Sequence, residues 1–72
     1  MTFKDHLLQV RRLHEFIRTK STGTPETLAR RLDISRATVF RRLDDLKALG
    51  AEIEFCRSRM TYYYTEPYDL LL

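Results

Sequence analysis

The sequence predicts an α+β fold, a three-helix bundle followed by a two-stranded β-hairpin. Three observations carry this expectation. Apolar residues recur at helical spacing through the first two thirds of the chain. Cap and breaker residues cut that stretch into three segments. After Gly50 the apolar period changes from helical to alternating.

In the first segment Phe3, Leu7, Val10, Leu13 and Ile17 form one stripe. Thr2 is suited to cap it, and Asp5 completes an acidic variant of the capping box. This helix is expected to reach Lys20, where Ser21-Thr22-Gly23 breaks the pattern. Thr24-Pro25-Glu26 opens a second helix with a cap, a first-turn proline and an acid that suits the dipole. Leu28, Ala29 and Leu32 are its inner face. Asp33-Ile34 makes a tight turn, with Asp33 in a left-handed conformation that Asp tolerates better than most residues. Ser35 caps a third helix, expected over about residues 36–49, with Val39, Leu43 and Leu46 inward and Gly50 just past its end. Ile53 and Phe55 then alternate with Glu52 and Glu54. Thr61 to Thr65 is rich in aromatic and β-branched residues, so the two runs form a hairpin around Arg57-Ser58-Arg59, ended by Pro67. Residues 1–66 read as one domain and residues 67–72 as a short apolar tail.

A chain of 72 residues buries only about 60% of its unfolded surface, so its core is small. One cysteine, Cys56, permits no internal disulfide and suits a reducing, intracellular setting. No run approaches membrane-spanning length. The formal charge is +3, and ten of the thirteen basic residues are arginine, whose planar fork matches phosphate and guanine edges. Arg30, Arg31, Arg36, Arg41 and Arg42 crowd the middle of the chain. Arg57 and Arg59 form a second group, with Asp44, Asp45, Glu52 and Glu54 between. This distribution describes two separate basic surfaces.

The run from Leu28 to Arg41 gives the clearest functional signal. Ala29 is small enough for two helices to approach, Ile34 plugs the corner between them, and Val39 anchors the second against the first. With Val39 inward, Ala37, Arg41, Asp44 and Ala48 point outward, flanked by Arg36, Thr38 and Phe40. A helix held this way presents its N-terminal end to a DNA major groove, and its first amides suit a phosphate.

Leu28-Ala29-Arg30-Arg31-Leu32-Asp33-Ile34-Ser35-Arg36-Ala37-Thr38-Val39-Phe40-Arg41, followed by Leu46-Lys47-Ala48-Leu49-Gly50, resembles the winged helix-turn-helix domains of bacterial DeoR-type, WYL-domain and biotin-repressor-like transcription regulators. Two positions differ from the usual pattern: Asp33 replaces a turn glycine, and Arg42 stands where an acidic or apolar residue is common. The effector domain that follows in those regulators is not among these residues. The resemblance implies repressor-type transcription regulation by binding to double-stranded DNA. Thr24, Ser35, Arg36, Ala37, Thr38, Phe40 and Arg41 would lie at the DNA, with Arg57 and Arg59 in a wing over about residues 56–60 on the backbone or in the minor groove. A winged-helix module for protein–protein interaction, without DNA binding, is the rival expectation.

Arg30 and Arg31 are adjacent on one helix and cannot both face DNA; one is expected on phosphate and the other in a surface ion pair. His6 and His14 do not match a zinc spacing and are read as structural, as is Cys56 at a strand end. Tyr62, Tyr63 and Tyr64 are read mainly as core packing. No metal, cofactor or small-molecule ligand is expected, and no catalytic constellation is present. Leu8 and Phe16, off the main stripe, together with Leu70, Leu71 and Leu72, are the expected surface of a homodimer. A cytoplasmic, nucleoid-associated location completes the reading.

Overall fold

A computed structural model describes residues 2–70. The element order is α1 (Phe3–Arg18), α2 (Pro25–Leu32), α3 (Arg36–Ala48), β1 (Ile53–Cys56) and β2 (Thr61–Tyr64). It is the expected α+β arrangement of three helices and an antiparallel hairpin.

Each helix starts where its cap predicts. The Thr2 hydroxyl accepts from the Asp5 amide, and the Asp5 carboxylate accepts from the Thr2 amide, closing the capping box. Thr24 and Ser35 cap α2 and α3 by accepting from Thr27 and Thr38.

All three helices end alike. Lys20, Asp33 and Gly50 have φ of 56°, 56° and 106°. Each donates its amide three residues back, to Ile17, Arg30 and Lys47, while the next residue donates five back, to Phe16, Ala29 and Leu46. This pair of bonds satisfies the last carbonyls of a helix. It also explains why α1 ends at Arg18 and not at the expected Lys20: once Lys20 turns left-handed, the helix is closed. Only Gly50 adopts that conformation without a Cβ penalty.

The core is Val10, Leu13 and Ile17 from α1, Leu28, Ala29 and Leu32 from α2, and Val39, Leu43 and Leu46 from α3, joined by Ala51 and Tyr62. Phe3 does not belong to it. Its side chain is 81% exposed, because the stripe of α1 runs past the bundle beneath it and meets only an open groove beside Ala48 and Leu49.

The hairpin pairs Ile53 with Tyr64, Phe55 with Tyr62, and Cys56 with Thr61. Its turn takes in Met60, at φ 53°, and β2 stops at Tyr64, before Pro67. Thr61 and Tyr62 are both buried although they are neighbours on one strand. The reason is a polar clasp to the α1–α2 turn. The fully buried Thr22 hydroxyl accepts from the Tyr62 amide at 2.8 Å, and the Thr61 hydroxyl accepts from the Thr22 amide at 3.2 Å. The hydroxyls, 3.1 Å apart, also donate to the carbonyls of Gly23 and Tyr62. Next to the clasp, Gly23 has φ 72°, and a Cβ there would lie 2.8 Å from the Thr27 methyl.

After Pro67 the chain folds back on the body. Tyr68 packs beside Tyr64 and His14, its hydroxyl donates to the Leu49 carbonyl, and Leu70 is half-buried against the core. Leu71 and Leu72, expected in a dimer surface, lie outside the described residues.

Both histidines are engaged by the protein. His14 Nδ1 lies 2.7 Å from the Tyr64 hydroxyl. Burial lowers the His14 pKa below its ordinary value, a tendency that Arg18 reinforces and Glu15 and Asp69 oppose. The folded state therefore takes up the His14 proton at lower pH than the unfolded chain. Its contribution to stability is complete above the unfolded value of about 6.5 and is lost as pH falls through the lower folded value. Thermal melts should show stability falling from pH 7 to pH 5, with a smaller fall in His14→Gln.

Arg42 corrects its expected place among the surface arginines. It is 8% exposed, on the inner face of α3. Its Nη1 is 3.5 Å from the Asp45 carboxylate, an electrostatic contact too long for a good hydrogen bond, and that carboxylate is 3.0 Å from His6 Nε2. Among the described residues, Arg42 Nε and Nη1 and the Gln9 Oε1 have no hydrogen-bond partner. Exchanging such a group for an apolar side chain of similar volume is often neutral or stabilising. Arg42→Met should melt at or above the wild-type temperature, and a clear fall in Tm would show that the guanidinium is satisfied in solution.

Candidate nucleic-acid interface

The outer face of α3 is set by what the inner face does. Val39, Leu43 and Leu46 are held in the core, so Ala37, Arg41, Asp44 and Ala48 are exposed. The Ser35 side chain satisfies Thr38, which leaves the Arg36 and Ala37 amides directed out of the helix N-terminus. Arg41 is exposed, and no acidic side chain among the described residues pairs with it. Ala37, one turn earlier, leaves room for close approach.

The other expected residues carry more constraints. Thr24 is half-buried and its hydroxyl is committed to the cap and to Thr27. The Ser35 and Thr38 hydroxyls lie 2.8 Å apart. Arg36 pairs with Glu26 at 3.2 Å, and its guanidinium lies over the Phe40 ring, 5.6 Å from the centroid. Phe40 itself is 42% exposed. Arg31 has no acidic partner among the described residues; it donates to the Ser21 carbonyl and its guanidinium lies over the Phe16 ring. Arg30 is exposed on the same helix.

Tyr62 on β2 lies within electrostatic reach of the start of α3. Burial raises the Tyr62 pKa, and the charges that perturb it further are Arg36, which lowers it, and Glu26, which raises it. Arg57 and Arg59 are exposed in the turn at the hairpin tip. Lys20 shares a groove with Arg59, Cys56, Thr61 and Tyr63, which adds a cation that the sequence did not single out. Lys20 and Arg59 are far apart in sequence, and the Thr22–Thr61 clasp joins their segments. Cys56 ends β1, half-exposed; its hydrogen bond with Ser58 and the Arg59 amide lower its thiol pKa.

Residues 9–64, which run from within α1 to the end of β2, match a family profile described as an HTH domain. The chain belongs to the helix-turn-helix domain family. Its hairpin after the third helix gives the helix-turn-helix a winged architecture. Searches of curated proteins and of solved structures gave no match. Membership supports a DNA-binding module. Among the described residues no helix is long and apolar enough to cross a membrane, and no cluster of three or more metal-ligating side chains occurs.

Proposed function

We propose that this helix-turn-helix protein binds duplex DNA sequence-specifically and regulates transcription as a repressor, working in the cytoplasm on the nucleoid. The observation that carries the reading is Arg41, exposed and free of any acidic partner among the described residues, on the face of α3 opposite the Val39 anchor. Such an arginine can give two parallel hydrogen bonds to guanine O6 and N7. Ala37 and the first amides of α3 bring the backbone near a phosphate, and Thr24, Ser35, Arg36 and Thr38 line that approach. Selection of bound sequences from random duplex DNA tests the proposal. Enrichment of a defined motif is expected, and an unenriched pool contradicts it.

In this reading the hairpin is a wing whose Arg57 and Arg59 meet the backbone or the minor groove. Changing both to alanine should weaken binding on every duplex and flatten the log affinity against log salt slope by roughly two units, one for each lost phosphate contact. An unchanged slope would place the wing away from DNA.

One recognition helix covers few base pairs, which gives little discrimination against a genome of competing sites. The proposed working species is therefore a homodimer on inverted half-sites about 10 bp apart. Leu8, 48% exposed, and the half-buried Phe16 line one groove on α1 and would pair reciprocally across a two-fold axis. Leu70, half-buried against the core as Phe16 is, would add to that surface. Sedimentation should show a dimer for wild type and a monomer for Leu8→Lys; a wild-type monomer with and without duplex would rule this out.

A further inference from the structure

We infer that Phe40 reads the C5 methyl group of a pyrimidine, thymine or 5-methylcytosine, next to the base contacted by Arg41. The inference rests on the DNA-binding reading above and specifies the chemistry it selects.

Phe40 is the one large apolar side chain exposed in the first two turns of α3 among the described residues. The fold has no need of it there, because Val39 and Leu43 on either side fill the core. A phenyl ring offers no hydrogen-bond donor or acceptor. The base edges in a major groove are hydrogen-bonding groups except for one apolar feature, the C5 methyl of thymine. A ring presented by a recognition helix therefore has a methyl group as its complementary partner.

The ring is also supported. Arg36, one turn earlier, lies over it and is anchored to Glu26 on α2. This arrangement limits the ring's freedom before DNA arrives, which reduces the ordering cost of a contact. Besides lining the approach to the phosphate, Arg36 also acts as a positioning residue that holds Phe40 toward the groove. Ala37, three residues before Phe40, has no side chain long enough to keep a base pair away.

The test uses the full chain and the duplex preferred in the random selection. Each thymine is replaced in turn by uracil, which removes one methyl and leaves base pairing unchanged. At one or two positions wild-type affinity should fall roughly fourfold, the size expected for burying one methyl group. At the same position, 5-methylcytosine should bind more tightly than cytosine if the methyl itself is read, and no more tightly if thymine is recognised by another group. Phe40→Ala should bind the thymine and uracil duplexes alike, Phe40→Leu should keep part of the difference, and Arg36→Ala should reduce it. Circular dichroism checks that each variant is folded. The inference is overturned if wild type binds every uracil duplex as tightly as its parent while keeping a sequence preference, or if folded Phe40→Ala keeps the discrimination. Loss of all sequence preference in wild type would instead overturn the DNA-binding reading on which it rests.

Discussion

Arg41→Ala should lower affinity for the preferred duplex by roughly 5- to 150-fold, the equivalent of about 1–3 kcal/mol for one bidentate contact. The loss should be concentrated on one guanine, whose replacement in the duplex would then cost the variant little. Fold stability should not change, because Arg41 is exposed and touches neither the core nor an ion pair among the described residues. Competition titrations against single-base variants give the answer. A loss spread evenly over all sequences would move Arg41 from the base edge to the phosphate backbone.

Thr22→Val should have the largest effect on the fold. The change keeps the shape of a fully buried side chain and removes its hydroxyl. The Tyr62 amide then loses its acceptor and the Gly23 carbonyl its side-chain donor. Each unsatisfied group costs about 1–3 kcal/mol, against a total stability of roughly 4–11 kcal/mol for a domain of this length. Denaturant unfolding should show a clearly lower midpoint. The clasp also ties the wing to the α1–α2 turn, so the variant should lose DNA affinity at temperatures where it remains folded. A Thr22→Val protein of wild-type stability would mean that water or a shifted backbone replaces the hydroxyl.

What the sequence made legible was local. Thr2, Thr24-Pro25 and Ser35 announce helix starts through bonds that span three residues, and Asp33 and Gly50 announce ends through backbone conformation. The period change after Gly50 marks the hairpin for the same reason. The outward set on α3 followed from one anchored residue, Val39, and helical geometry. Arg42 shows where such reading misleads. It lies three residues after Val39 and four before Leu46, so periodicity alone assigns it to the inner face; its charge suggested the surface, and the structure follows periodicity. Phe3 misled in the opposite way, because the stripe of α1 is longer than the bundle it covers.

The remaining features join residues distant in the chain. Thr22 meets Thr61, Lys20 comes beside Arg59, and Glu26 reaches Arg36. No local pattern marks these pairs, since each depends on how α2 and the hairpin dock. The stacking of Arg36, paired with Glu26, over Phe40 was hidden for the same reason.

The central claim is that the outer face of α3 and the wing read duplex DNA. Its most direct test is equilibrium binding of the full chain to the selected duplex and to a scrambled one of equal length, each across a salt series. The account predicts tighter binding to the selected duplex at every salt concentration, with affinity for both falling linearly in log–log form as phosphate contacts release counterions. Equal affinity for the two sequences, or binding that does not respond to salt, would contradict it.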